Sequence, residues 1–304
     1  MNYILTAQNV TKQFKNTVAV NRVNLRIKKG EIYGLLGPNG SGKTTLMKMM
    51  MNLLKPTQGS INIFGEPLHP TSYEPLKRIG AIIEYPIFYD KLSAMENLEL
   101  HCQYMGYHNK NDIREALEMV NLKNIENKKV KEFSLGMKQR LAIARAIITK
   151  PELLILDEPI NGLDPLGIIE IRDLLKKLNQ EYGITILISS HILSEIEHVA
   201  DTIGILKQGQ LLEETSIEDL RKNNNEYFEI VTPQIEKLAY LLTEKMNIHN
   251  FKTLNAGTIR IYETPINQGE LFTHCMNENI YLESFSRKAG TLEEYFLSLV
   301  QGSY

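Results

Sequence analysis

The run Gly37-Pro38-Asn39-Gly40-Ser41-Gly42-Lys43-Thr44 constrains this chain more than any other stretch. It has the spacing of a phosphate-binding loop. The strand-like run Ile32–Leu36 leads into it, and a helical stretch, Lys43–Leu54, leads out and closes at Lys55-Pro56-Thr57-Gln58-Gly59. Strand, loop and helix in that order are the context in which such spacing has meaning, and a chance glycine turn lacks them. Glycines let backbone N–H groups turn toward phosphate oxygens where side chains would collide. Lys43 is placed to neutralise the β- and γ-phosphates, Thr44 to offer its hydroxyl to Mg²⁺, and the helix adds its positive dipole end. Gly37, Pro38, Asn39, Gly40, Ser41, Gly42, Lys43, Thr44 and Thr45 are therefore the candidate nucleotide-binding residues.

The flanking pattern predicts an α/β chain. Short strand-like runs at Tyr3–Leu5, Val18–Val20 and Val23–Ile27 precede the loop, set apart by turn signals such as Lys28-Lys29-Gly30. Residues 85–150 read as mainly helical. Ser93-Ala-Met-Glu96 is a capping box, and Ile113, Ala116, Leu117 and Val120 recur at helical spacing. A third helix carries Leu141, Ala144, Arg145 and Ile148 and stops before Pro151. Leu153–Leu156 then has the unbroken apolar character of a strand buried on both faces. Pro165–Tyr182 reads as a helix ending at Gly183, and Thr185–Ser189 as another buried strand. The helical block is thus an insertion in a parallel-sheet core. Near Lys222-Asn-Asn-Asn-Glu226 the chain turns polar and linker-like. Beyond it lie a strand at Tyr227–Thr232, a helix marked by Ile235, Leu238, Leu241 and Leu242, a hairpin turn at Asn255-Ala-Gly257, and a last helix marked by Leu292, Phe296 and Leu299. The expected domains are residues 1–222, with the helical part at about 85–150, and an α+β appendage at 226–304.

Two further stretches carry chemistry. In Leu153-Leu-Ile-Leu-Asp157-Glu158-Pro159 a carboxylate ends a buried strand, so Asp157 is a metal candidate. Glu158 points another way and is placed to polarise an attacking water. In Phe133-Ser134-Leu135-Gly136-Met137-Lys138-Gln139-Arg140, Ser134 can cap the following helix, and a helix N-terminus with Ser and Gly is also an anion site.

Composition narrows the partners. The 304 residues are 43% apolar and 23% charged, enough for a core, and 34 basic against 36 acidic side chains leave a net charge of −2. That balance exerts no general pull toward nucleic acid or anionic lipid, and Lys128-Lys129-Val-Lys131 reads as a solvated face. Met47–Met51, on the helix after the loop, reads as core or interface filler. Cys102 and Cys275 are far apart and read as reduced thiols of a cytosolic protein. The N-terminus has neither the charged start nor the apolar run of a signal peptide, and no run of about 18 apolar residues spans a bilayer. A membrane role must come through a partner.

The stretch from Ser134 resembles the signature of the ABC ATPases, usually Leu-Ser-Gly-Gly-Gln followed by Arg/Lys-Gln-Arg. Ser134, Gly136, Gln139 and Arg140 match, whereas Leu135 replaces the first glycine and Met137 the glutamine. Asn161-Gly-Leu-Asp164-Pro resembles the family's D-loop at the dimer interface. His191 resembles its γ-phosphate switch histidine, and Phe14 stands where the family stacks an aromatic on adenine. Glu84, in Gly80-Ala-Ile-Ile-Glu84-Tyr-Pro, occupies the place of a usual glutamine, where an oxygen serves Mg²⁺ or the attacking water. Glutamate here, with a tail reading Thr291-Leu-Glu-Glu-Tyr-Phe-Leu-Ser-Leu-Val, is similar to ATPases of transporters that confer resistance to bacitracin and lantibiotics.

The resemblance covers roughly residues 4–220. It implies a P-loop NTPase (RecA-like) core with an antiparallel β subdomain and an inserted helical signature subdomain. It also implies ATP and Mg²⁺ as cofactors, and a head-to-tail dimer with a second copy or a paralogous ATPase subunit in which Ser134 and Gly136 cover the other subunit's ATP. The remaining expectations are a separate integral membrane permease, a place on the cytoplasmic face of the membrane, and export of peptide antibiotics. Other readings are an ABC ATPase acting on ribosomes or DNA, and a P-loop kinase or GTPase. One ATPase set, no heptad run and no basic tail speak against the first, and the signature block and His191 against the second.

Overall fold

The computed structural model describes residues 2–107, 109–222, 226–255, 257–262 and 267–289. Contacts divide them into two compact units, one from Met1 to Glu218 and one starting at Asp219.

The first unit opens with two long antiparallel strands, β1 (Tyr3–Phe14) and β2 (Thr17–Lys28), followed by β3 (Ile32–Leu36) and α1 (Lys43–Met50). Then come β4 (Gln58–Ile63), β5 (Glu66–Pro67), α2 (Glu74–Lys77) and β6 (Ile79–Ile82). The helical insertion consists of α3 (Ala94–Tyr104), α4 (Lys110–Met119) and α5 (Leu135–Ile147). The α/β pattern resumes with β7 (Leu153–Leu156), α6 (Pro165–Gln180), β8 (Thr185–Ser190), α7 (Leu193–Ile196), β9 (Thr202–Lys207) and β10 (Gln210–Ser216), and the boundary between the units falls within α8 (Ile217–Lys222). One sheet has the order β2-β1-β4-β5 and the other β10-β9-β3-β8-β7-β6. In the second, β9, β3, β8, β7 and β6 run parallel and only β10 is antiparallel.

Every residue of β3, β7 and β8 is buried. That is why these strands read in sequence as short apolar runs: a parallel strand covered on both faces has no wet side to alternate with. The first two strands behave differently. Each spans 12 residues where the sequence suggests shorter pieces. Their pairing shifts register between Ala7 and Val10 and again near Lys12, with Asn9 at φ 48° and Arg22 at φ 50°. Such bulges break the two-residue alternation, so one strand looks like fragments. Side chains take up amides there: Asn24 Oδ1 accepts from Asn9 N at 2.9 Å and Thr11 Oγ1 from Arg22 N at 3.0 Å.

Helix α1 ends at Met50, four residues before the sequence-based stop at Leu54. Asn52 takes a left-handed conformation, φ 57°, and the amides of Leu53 and Leu54 both turn back to the Lys48 carbonyl. The insertion follows its capping signals. Ser93 Oγ accepts from Glu96 N, and the Glu96 carboxylate from Ser93 N at 2.7 Å, which closes the capping box on α3. Ile113, Ala116, Leu117 and Val120 are all buried.

The second unit has the chain order β11 (Glu226–Val231), α9 (Ile235–Tyr240, continuing through a π turn to Lys245), β12 (Phe251–Asn255), β13 (Thr258–Ile261), α10 (Gln268–Asn277) and β14 (Ser284–Ala289). Its antiparallel sheet reads β12-β13-β11-β14. A β-α-β-β-α-β chain with that strand order is the ferredoxin-like split β-α-β arrangement. Phe228, Ile230, Ile259 and Ile261 pack with Leu238, Leu242, Leu271 and Cys275 as its core. The sequence reading found β11 and α9 but not α10 or β14, because α10 buries only Leu271 and Cys275 and residues 284–288 of β14 are exposed or half-buried. Asn255 pairs with Thr258 across the expected hairpin turn. Ala256, the linker residues 223–225 and the helix expected around Leu292, Phe296 and Leu299 lie outside the described residues.

Candidate functional site

The carboxyl ends of four neighbouring parallel strands carry the predicted chemistry. In the order β3-β8-β7-β6, the phosphate loop follows β3, His191 follows β8, Asp157 and Glu158 follow β7, and Glu84 lies just past β6. Ligands of open α/β sheets bind at this edge, where successive loops converge.

Loop residues Gly37 to Gly42 join β3 directly to α1. Gly42 has φ 107°, and a Cβ there would stand 2.4 Å from the Ala19 carbonyl oxygen of β2, so no other residue fits the turn. The Ser41 carbonyl accepts from Gly209 N at 2.9 Å, and the buried Ser41 hydroxyl has no hydrogen-bond partner among the described residues. Pro38, Asn39 and Gly40 are exposed, whereas Thr44 and Thr45 are half-buried at the head of α1.

Lys43 is 5% exposed, and its ammonium donates to the carbonyls of Gly37 at 2.7 Å and Pro38 at 3.3 Å. It also pairs with Glu158 Oε1 at 3.2 Å. The other Glu158 oxygen lies 2.8 Å from His191 Nδ1. Glu158 itself has φ 49°, a left-handed kink that sends its side chain away from that of Asp157. Asp157 is 5% exposed, with Oδ2 accepting from Thr44 Oγ1 at 2.7 Å and Oδ1 from Ser189 Oγ at 2.7 Å. Ser189 Oγ also accepts the Glu158 amide at 2.8 Å. Each carboxylate is therefore held through both oxygens, and one serine clamps the pair. Sequence reasoning passed over Ser189 as part of a buried strand. The signal was there, since a hydroxyl in an otherwise apolar strand needs a partner.

Thr44 and Asp157 present a hydroxyl and a carboxylate side by side. They are hard oxygen donors of the kind that hold Mg²⁺ by one or two protein groups plus phosphate oxygens. The residues fit the ion. Among the described residues no cluster of three or more His, Cys, Asp or Glu is gathered to form an all-protein metal cage. Glu84 does not join this pair. It is exposed, has φ 64°, and its carboxylate takes the Lys48 ammonium of α1 at 2.5 Å. Lys48 is a second residue that sequence reasoning passed over.

Ser134 and Gly136 lie at the head of α5. Ser134 is exposed, and its hydroxyl accepts from its own helix, at Met137 N, 3.2 Å. Arg140 Nη1 lies 3.6 Å from Glu170 Oε2 on α6. Asp164 caps α6 by accepting from Gly167 N at 3.0 Å. Phe14, at the end of β1, is 43% exposed with the Lys12 ammonium 5.1 Å from its ring centre. Its ring is open to stacking rather than committed to the core.

The chain matches the ABC transporter family over residues 20–161. It is 55% identical over 303 residues to the uncharacterized ABC transporter ATP-binding protein YcbN of Bacillus subtilis, covering 100% of this chain and 99% of that protein. It is 45% identical over 302 residues to the bacitracin transport ATP-binding protein BcrA of Bacillus licheniformis, covering 99% of both. Among solved structures it is similar to the dimeric post-hydrolysis ATP-binding cassette MJ0796 bound to ADP and Pi. The TM-score there is 0.62 and the identity 32%, over 70% of this chain and 98% of that one. A phosphate loop, a clamped Asp–Glu pair and a separate signature turn, together with full-length likeness of this degree, lead to one conclusion: the chain belongs to the ABC transporter ATP-binding proteins and is a nucleotide-binding ATPase subunit.

Proposed function

We propose that this chain powers a separate integral membrane permease that exports peptide antibiotics of the bacitracin and lantibiotic type, working at the cytoplasmic face of the membrane. No helix among the described residues is long and apolar enough to cross a bilayer, so the translocation path falls to the partner. Likeness to BcrA over 99% of both chains supports the cargo class.

Within the site, Gly37–Thr45 hold the triphosphate, Phe14 stacks on the base, and Lys43 moves its donors from its own loop to the β- and γ-phosphates. Thr44 and Asp157 would hold Mg²⁺, which when bound would supply positive charge beside the triphosphate. Glu158 polarises the attacking water, and His191, 2.8 Å away, orients it and senses the γ-phosphate. Glu84 releases Lys48 and turns its carboxylate toward the site when nucleotide is bound.

The observation that carries this reading is that Ser134 is exposed and its hydroxyl is bonded to its own helix. Its hydroxyl and the dipole of α5 face solvent, so within one chain they have no phosphate to stabilise. Two chains set head to tail, as identical copies or as paralogues, supply it. ATP then joins the two, and hydrolysis releases them. The test is expression with the candidate permease in a bacitracin-sensitive strain. Wild-type chain raises the inhibitory concentration and co-purifies with the permease, and Glu158→Gln abolishes the rise. Resistance that survives Glu158→Gln overturns the reading.

A further inference from the structure

Leu135 and Met137 are the two departures from the usual signature, and Leu135 has an unusual neighbour. The residue opens α5, is 49% exposed, and extends one methyl to 3.3 Å from where a Cβ on Gly162 would stand. Gly162 belongs to the Asn161–Asp164 loop and has φ 77°, so the notch it leaves cannot be filled by its own side chain. The relation is reciprocal. Leu163 of that loop reaches back to 3.9 Å from where a Cβ on Gly136 would stand. Each element thus sets a leucine over the other's glycine.

The mesh is tied to the catalytic carboxylate. The Asn161 amide donates to the Glu158 carbonyl at 3.2 Å, and the Leu163 amide to the Ile160 carbonyl at 3.3 Å. The loop that faces Leu135 is thus joined to Glu158, four residues before Gly162 along the chain. With glycine at 135, half of the mesh would be missing and the two loops could slide past one another.

We infer that Leu135 is a positioning residue that makes the signature turn and the Asn161–Asp164 loop move as one body. Contact of Ser134 with one nucleotide thereby sets the Glu158 that serves the other. The inference rests on the head-to-tail reading above, because only there does Ser134 belong to one site and Glu158 to the second. It assigns Leu135 a role in coupling two sites, not in binding either.

The test is steady-state ATP hydrolysis by the purified full-length chain, with Leu135→Ala beside Leu135→Met and with labelled-ATP binding and thermal melting measured in parallel. Leu135→Ala should lower the Hill coefficient toward one and slow turnover ~5-fold, the low end of typical coupling between sites. ATP affinity and melting temperature should stay at wild-type values, which separates coupling from a structural defect. Leu135→Met, which can still reach the Gly162 notch, should restore cooperativity. A cooperative wild type matched by an equally cooperative Leu135→Ala overturns this inference alone. A non-cooperative wild type removes the head-to-tail reading and this inference with it. Cooperativity lost in both variants shows that filling the notch is not what matters, and overturns it too.

Discussion

The strand-end cluster and the head of α5 both gather groups suited to phosphate, yet they are built to opposite rules. At the strand ends the charged groups are paired within the chain. Lys43 holds Gly37, Pro38 and Glu158, and Asp157 holds Thr44 and Ser189. At the head of α5 the serine is exposed and bonds to its own helix. The difference teaches where each half finds its ligand. A buried charge left unpaired is expensive, so the first region must be complete by itself. A solvated hydroxyl costs almost nothing to leave waiting, so the second can be reserved for another chain.

The largest effect should come from the complete region. Lys43→Ala removes a 5%-exposed ammonium that three oxygens share. Equilibrium binding should show ATP affinity reduced at least ~100-fold, about 2.7 kcal/mol. Undiminished affinity would break the comparison at its base. Glu158→Gln keeps the shape of the site and removes the base, so hydrolysis should slow at least ~10-fold with binding intact, and a long-lived dimer should appear by gel filtration in ATP.

Two serine caps sharpen the contrast further. Ser134→Ala should cut hydrolysis ~10-fold or more, the scale of losing one donor to a developing charge, while leaving single-chain ATP binding untouched. Its cost in stability should be small, near the low end of about 0.5 kcal/mol for an exposed cap. Ser93 heads α3 with a closed capping box and is itself buried, so Ser93→Ala should lower stability by about 1 kcal/mol in urea unfolding and leave hydrolysis per folded molecule alone. Should the two substitutions behave alike, the distinction between a structural cap and a reserved one fails.

Parts of this organisation are legible in the residues because they depend on local rules. Backbone that must curl around phosphate needs glycine at particular places, and Gly42 shows why. A strand covered on both faces is unbroken and apolar, so β7 and β8 stand out, and with β7 the carboxylates at its end. The capping box of α3 is likewise written within four residues. Where pairing geometry intervenes, the reading weakens. The bulges at Asn9 and Arg22 cut two 12-residue strands into apparent fragments, and α10 of the second unit buries too few side chains for a period to register.

By itself, then, the sequence determined the chemistry on offer: a phosphate loop, a metal-binding carboxylate, a base and a signature turn, each a matter of residue type and short spacing. Only the tertiary structure decided how they are held. Ser189 is bonded to Asp157 across 32 positions, Lys48 to Glu84 across 36, and Leu135 meets Gly162 from another segment. The physical reason is range. Backbone conformation and helix capping are settled by neighbours along the chain, whereas the partner of a hydroxyl, an ammonium or a methyl is whichever group strand order and helix packing carry to within a few ångström.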